Sequence, residues 1–212
     1  MMPHIHPGFR LLIIIIFISL SGRAQQFNGG LVGGLVGSQV AGDMYSGYNK
    51  AGINAGGWIS LPVGHKSEFR LELCYTQKGS RENPDYEKGK FDAYIMRLGY
   101  VEMPLVYRYL YNDRFSFETG LGMNILLHHG EHLNGYETTY SPFNFQNLTF
   151  IAALDIKLNS LMSVNLRTDN SLFSIRKNRV SGDVWRFWSY GQFSDALVLS
   201  VYYTIKRRVF VE

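Results

Sequence analysis

The chain has 212 residues, a formal net charge of +4 and 15% aromatic residues, with 22 glycines, 6 prolines and one cysteine. That small charge surplus excludes the basic surface of a nucleic-acid binder, and the lone Cys74 excludes an internal disulfide. A composition rich in Tyr, Phe and Gly is that of strands and turns rather than of helices or a disordered chain.

From the N-terminus, Arg10 is followed by an apolar run from Leu11 to Leu20 and then by Ser21-Gly22-Arg23-Ala24. About ten apolar residues are too few for a spanning helix, which needs roughly 20. Gly22 and Ala24 stand where a cleavage site requires small residues, so the run reads as a secretory signal peptide, residues 1–24, cut after Ala24. Residues 25–212 then form one exported domain of formal charge +2, because the removed segment carries Arg10 and Arg23 and no acid. No later run is long enough to cross a bilayer as a helix, which leaves two options: a chain soluble after export, or a barrel that crosses with strands.

Taken in order, the remaining segments alternate with period two, and none of length fits the 3.6 period of a helix. Eight strands are predicted. In residues 52–63, Ile53, Ala55, Ile59, Leu61 and Val63 share one face opposite Asn54, Gly56, Trp58 and Ser60. In residues 68–78, Phe69, Leu71, Leu73 and Tyr75 oppose Glu68, Arg70, Glu72, Cys74 and Thr76. Residues 147–158 and 161–172 set Leu148, Phe150, Leu154, Ile156, Met162, Val164, Leu166 and Leu172 against Thr149, Asp155, Lys157, Ser163, Asn165, Arg167 and Asp169. The last strand carries Leu197, Leu199, Val201, Tyr203 and Ile205 on one face. Charged residues on one face and bulky apolar residues on the other fit a barrel in lipid, apolar outside and polar inside, better than a soluble barrel with an apolar interior.

The connections alternate in length. Long loops are expected at 41–50, 79–93, 129–146 and 174–190, and tight turns at 64–67, 112–114 and 159–160. This asymmetry is that of an up-and-down outer-membrane barrel, with short periplasmic turns and long external loops. Tyr75, Tyr94, Tyr107, Tyr109, Tyr111, Phe115, Phe117, Phe173 and Tyr203 fall near strand ends, where such barrels carry interfacial girdles.

One segment, Tyr100-Val101-Glu102-Met103-Pro104-Leu105-Val106-Tyr107-Arg108-Tyr109, puts an acid and a proline into an otherwise apolar strand. In a barrel, Glu102 becomes a lumen charge that pairs within a structural network made with Arg70, Glu72, Arg97, Arg108, Glu118, Arg167 and Asp169. Pro104 removes a ladder hydrogen bond and predicts a local bulge. The stretch Tyr100-Val101-Glu102-Met103-Pro104-Leu105, followed by Phe117-Glu118-Thr119-Gly120-Leu121-Gly122, resembles the PorT-like outer-membrane beta-barrel family of the Bacteroidetes type. The glycine-rich segment Gly29 to Gly37 and the strand end Tyr75-Thr76-Gln77-Lys78-Gly79 are similar too, and the resemblance covers about residues 27–205. It implies an outer-membrane barrel and, more specifically, an accessory role in protein secretion with an envelope protein as partner. The chain departs from the aromatic ending of many such barrels, running Lys206-Arg207-Arg208-Val209-Phe210-Val211-Glu212.

Candidate chemistry is sparse. His128-His129-Gly130-Glu131-His132 spells a zinc-peptidase motif that needs helical spacing, whereas these residues are expected to leave a strand into a loop. His128, His129 and His132 are therefore solvated loop residues, with a loose divalent-metal site as the alternative. Interior carboxylates of an eight-stranded barrel lie in a lumen filled by side chains, so a structural network is expected rather than an acid–base pair, and with it no enzyme activity and no cofactor. Trp185, Arg186, Trp188 and Tyr190, with Phe187, form an aromatic-basic cluster in the last long loop, read as a recognition patch, as loop packing over the barrel mouth, or as headgroup anchoring by interfacial Trp and Tyr. Lys78, Arg81, Lys88, Lys90, Arg176, Lys177 and Arg179 make a basic rim, which either meets anionic lipid sugars or is simply solvated.

The fold class expected is all-β, an eight-stranded antiparallel up-and-down transmembrane β-barrel in a Gram-negative outer membrane. It would be a monomer in contact with outer-membrane lipid, without nucleic acid, serving a structural or interaction role through its external loops. A soluble periplasmic lipocalin-like ligand carrier is the alternative, and it requires Phe69, Leu71 and Leu73 to face inward. A barrel enzyme would require a carboxylate, serine or histidine cluster at the external rim.

Overall fold

The computed structural model describes residues 27–45, 47–89, 91–138, 141–177 and 184–205. The expected signal peptide and the run from Lys206 to Glu212, with Phe210, lie outside the described residues. Eight long strands form the body: β1 (Asn28–Ala41), β2 (Lys50–Gly64), β3 (Ser67–Glu82), β4 (Tyr94–Leu110), β5 (Phe115–Leu133), β6 (Gln146–Lys157), β7 (Met162–Ser171) and β8 (Phe193–Thr204). Each pairs antiparallel with its sequence neighbours, and β8 closes on β1 from Gly30↔Thr204 to Ala41↔Phe193. Closure satisfies the backbone ladder around the ring, which a strand structure in hydrocarbon requires.

Alternation decides the faces. Phe69, Leu71 and Leu73 are 43%, 45% and 58% exposed, whereas Arg70 and Glu72 between them are 2% exposed. Leu31, Leu35, Ile53, Ile59, Leu105, Leu121, Phe150, Leu166 and Leu199 extend the exposed apolar belt around the barrel. A lipocalin-like interior would invert these directions, so the soluble alternative is not favoured. Tyr107, Tyr109, Tyr111, Phe115, Phe117 and Tyr203 are exposed toward the turn end, but Tyr94, expected in the girdle, is buried inside the barrel. Its even number puts it in phase with Met96, Leu98 and Tyr100, all inward.

At the turn end two sequences fold by one device. Asn112 Oδ1 accepts from the backbone N–H groups of Arg114 and Phe115 (2.9 and 2.7 Å), and Asn159 Oδ1 accepts from those of Leu161 and Met162 (2.8 and 2.9 Å). An Asn side chain that mimics a backbone turn sets a tight connection at little entropic cost. At the opposite end, β3 and β5 run further than expected, to Glu82 and Leu133. Asn134 (φ 53°) and Gly135 (φ 85°) turn the chain of β5 back into a two-residue strand, Tyr136–Glu137, with both central residues at positive φ as a type I′ hairpin demands.

Pro104 makes no bulge. The β3–β4 ladder runs to Leu71↔Leu105 and resumes in the same register at Cys74↔Glu102, while Pro104 stays paired with Gly122 on β5. The missing N–H is thus absorbed by a short gap on one side. The shift in register lies instead at Gly99/Tyr100, opposite the extra residue Leu127 of β5. There the His128 ring covers Gly99 so closely that a Cβ on Gly99 would lie 2.2 Å from Nε2. An outer-face glycine roofed by an aromatic ring and tied by Tyr75 OH to His128 Nε2 (2.9 Å) pins the bulge.

The interior divides along the barrel axis. Below Glu102, toward the turns, it is charged. Above it, toward the loops, lies an apolar cluster of Val40, Tyr94, Met96, Leu98, Tyr100, Leu126 and Ile175, with Tyr45, Leu133 and Phe143 packed on it.

Candidate functional site

The lumen is built from even-numbered residues of β3, β4 and β5 and odd-numbered residues of β6 and β7, a consequence of strand phase alone. Nearest the turns, the Arg108 guanidinium reaches Glu68 at 2.8 Å, Glu118 at 3.2 Å and Asp155. Ser163 donates to Asp155 (2.8 Å) and Ser60 to Glu68 (3.2 Å). One step up, Arg70 meets Glu118 at 3.1 Å and lies over the rings of Tyr202 (4.5 Å) and Trp58 (5.1 Å). Arg167 grips Glu72 with two hydrogen bonds, 2.9 and 2.7 Å, and also donates to Tyr202 OH, which itself donates to Glu72. Highest in the charged zone, the Lys78 ammonium sits between Glu102 (2.6 Å) and Asp169 (2.8 Å), with Thr76 donating to Glu102.

Four cations, Arg70, Lys78, Arg108 and Arg167, therefore face six carboxylates, Glu68, Glu72, Glu102, Glu118, Asp155 and Asp169. The surplus acids depend on neutral donors: Thr76, Ser163, Asn165 and the Tyr202 hydroxyl. A buried charge is tolerable when it is paired and hydrogen-bonded. Every cation here has a carboxylate partner drawn from across the barrel, while some buried polar atoms, Arg70 Nε and Nη1 and Glu118 Oε1 among them, are left without a hydrogen bond. Below it a vestibule of about 640 Å³ opens at the turn end, bordered by His65, Lys66, Arg108, Asn112 and Lys157.

Of the eight residues expected in the lumen, seven converge there; Arg97 does not. It points outward, between inward Met96 and Leu98, because it is odd-numbered on a strand whose even residues face in. Lys78 and Arg176, expected on the basic rim, are buried at 1% exposure. Lys78 is drawn in because β3 continues in phase past Thr76 to Glu82. Arg176 folds down with its loop and grips Glu131 through two bonds of 2.7 Å, while its Nε donates to Gln192 (2.7 Å) and its guanidinium lies 4.3 Å from the Phe143 ring. Burial would lower the Arg176 pKa, but hydrogen bonding to Glu131 and its charge outweigh that and hold it above its ordinary value. Glu68 and Asp155, expected on the polar face but not in the network, and Lys78, expected on the rim, complete it.

The histidine tract is strand, not loop. Extended spacing puts His128 and His132 on one face about 13 Å apart, four residues at roughly 3.4 Å each. His129 lies on the other face, against Phe143 at 5.1 Å. Glu131 is buried beneath Arg176 and accepts a hydrogen bond from Tyr94 OH. The strand therefore disperses the three imidazoles, and the loose metal site loses its geometry; among the described residues no three His, Cys, Asp or Glu side chains converge.

Between β7 and β8 the chain rises as a small hairpin, Val184–Arg186 paired with Ser189–Gly191, whose turn holds Phe187 at φ 49°. Trp185, Phe187, Trp188 and Tyr190 are 70%, 58%, 74% and 51% exposed. Trp188 stands against Phe187 and Phe173, with ring centroids 5.6 and 6.4 Å away. Arg186 leaves the patch and grips Asp195 (2.6 and 2.8 Å) over the Phe193 ring. Those hydrogen bonds raise its pKa despite burial. The neighbouring loops are tied to the rim: Asn144 bonds Ile175 and Ser174, and Gln192 donates to Gly42 (3.0 Å).

The fold has solved counterparts. The chain is similar to Ail, the attachment invasion locus protein of Yersinia pestis, solved in complex with the heparin analogue sucrose octasulfate (TM-score 0.52, 14% identity, 85% of this chain and 99% of that one). It is also similar to Neisserial surface protein A (TM-score 0.54, 10% identity, 84% and 97%). At these identities the likeness concerns the fold. No curated protein sequence matches the chain. The family model for the outer membrane protein beta-barrel domain matches residues 23–211. A closed barrel with an apolar exterior, a charged interior and that match together make the chain a member of the outer membrane protein beta-barrel domain family, located in the outer membrane.

Proposed function

We propose that this barrel is a non-enzymatic interaction protein that presents the aromatic hairpin 184–191 to a partner in the envelope or outside the cell. One observation carries the reading: four large aromatic side chains are exposed on a short, internally paired hairpin held to the barrel by Arg186 and Asp195. Rigid Trp and Tyr side chains give large contact area at low entropic cost, which is why they dominate binding hot spots. The two-part filling of the lumen argues against a diffusion pore.

The PorT-like resemblance narrows the partner to a component of a protein-secretion apparatus. A photo-crosslinker placed at Trp188 in cells should then give a discrete adduct that is lost when Trp185 and Tyr190 are both changed to Ala. An adduct pattern unchanged by those substitutions, or no adduct at all, contradicts the patch. Planar-bilayer recordings of the purified protein should show no steady conductance, and a stable open channel would contradict the filled lumen.

A further inference from the structure

A second surface feature, independent of the hairpin, lies on the outward face of β3, β4 and β5 near the loop end. Arg81, Ile95 and His132 occupy one rung, through the pairs Arg81↔Ile95 and Ile95↔His132. The next rung toward the membrane is Gly79, Arg97 and Gly130. Arg97 thus has a glycine on each side, and a Cβ on Gly130 would find only the His132 ring, 3.9 Å away. Beside these rungs lies a recess of about 340 Å³ bordered by Arg81, Asn83, Ala93, Ile95, Arg97 and His132. Diagonal neighbours on one face of a sheet lie roughly 7–8 Å apart, so both guanidinium groups reach into it.

Cations predominate at the recess: Arg81 and Arg97 border it with one carboxylate, Glu82, and Glu137 pairs with His132 on the neighbouring strand. The ion pairs among the described residues use Arg70, Lys78, Arg108, Arg167, Arg176 and Arg186, and none uses Arg81, Arg97 or Lys50. Lys50, at the start of β2, lies within electrostatic reach of both Arg81 and Arg97, so three like charges crowd one edge. Among the described residues, Arg81 Nε donates to the neutral Asn83 (2.9 Å). His132 Nδ1 is buried with no hydrogen-bond partner. Glu82 also borders the recess, but it is in phase with the lumen face of β3 and is 7% exposed. Below the recess, Tyr75 and His128 form an amphipathic layer between it and the apolar belt.

We infer that this recess binds a phosphate group on the headgroup of an outer-leaflet glycolipid, with Arg81 and Arg97 as charged donors and the His132 ring beside them. Position selects the lipid source over a free anion: the recess faces outward, just above the lipid-facing belt and on the long-loop side. Two guanidinium groups match phosphate oxygens through paired N–H donors. On the neighbouring strand, Gly130 leaves the space beside Arg97 open.

The test titrates the folded protein, in a neutral detergent, with bisphosphorylated lipid A and with the same lipid after phosphatase treatment, read by native mass spectrometry. Wild type should retain the bisphosphorylated form at least about tenfold better, as two charge-assisted contacts allow. Arg81→Gln with Arg97→Gln should abolish that preference, whereas Arg114→Gln at the opposite end should keep it. Ala93→Phe, which adds bulk at a residue bordering the recess without touching a charge, should also abolish it, and a heat-shifted gel band checks that each variant is folded. Equal retention of both lipid forms, or a preference untouched by Ala93→Phe, overturns the site. Displacement of the lipid by millimolar inorganic phosphate overturns the lipid assignment in favour of a free-anion site. Because the hairpin 184–191 is unchanged in every variant, failure here is distinguishable from failure of the patch.

Discussion

The two halves of the lumen solve one problem by opposite means. On β4, Tyr94, Met96, Leu98 and Tyr100 face inward above Glu102, and Arg108 faces inward below it. The upper half is stabilised mainly like the core of a soluble protein, by burying apolar area with the loops folded over it, and holds one buried ion pair, Arg176 with Glu131. The lower half gains little net energy from its ion pairs, since desolvation offsets most of the Coulomb attraction. What the pairs impose is geometry: Lys78 bridges β4 and β7, and Arg167 ties β7 to β3. Apolar filling tolerates local change, whereas charged filling does not.

That difference sets the expected order of mutational effects. Glu72→Ala leaves Arg167 buried without its bidentate partner and should cost about 3–5 kcal/mol in urea unfolding of the folded barrel. Replacing the pair together, Glu72→Leu with Arg167→Met, should recover most of the loss; no recovery would mean that the network acts through more than pairing. Leu98→Ala in the upper cluster should cost about 3 kcal/mol through the cavity it leaves. Hydrogen exchange should place that loosening at the loop end and leave the β6–β7 ladder protected.

A smaller effect concerns pH. Burial pushes the carboxyl of Asp43, in the loop after β1, up to about 6 from its ordinary 3.8. The folded loop therefore holds the proton more tightly than the unfolded one. Its contribution is complete below the ordinary value, declines as pH rises through the window up to about 6, and is flat above it. Protease accessibility of residues 42–49 should rise across that window, and Asp43→Asn should remove the dependence. Smallest of all, Trp185→Ala and Trp188→Ala should change stability by no more than about 0.5 kcal/mol, because both side chains are exposed.

Period-two alternation made the strands and their faces legible, because lipid outside and charge inside enforce it at every residue. What escaped was decided elsewhere. Lys78 reads as rim or lumen according to where β3 ends, and its partners Glu102 and Asp169 are remote in sequence. Arg97 was misplaced because sign alone does not give phase; counting from Glu102 would have turned it outward. The Asn134-Gly135 hairpin was readable, since Asn-Gly is a strong type I′ signal, but the histidines before it drew the segment toward a loop reading. The bulge at Leu127 left no such mark, as leucine and histidine fit either face of a strand beyond the membrane.

The account rests most heavily on the inside-outside assignment. In a Cys74→Ser background, a fluorescent label moved one residue at a time from Phe69 to Tyr75, in bilayers containing brominated lipid, measures that assignment directly. Quenching should be strong at Phe69, Leu71, Leu73 and Tyr75 and weak at the positions between them. Uniform quenching, or strong quenching at Arg70 and Glu72, would contradict the charged lumen and everything built on it.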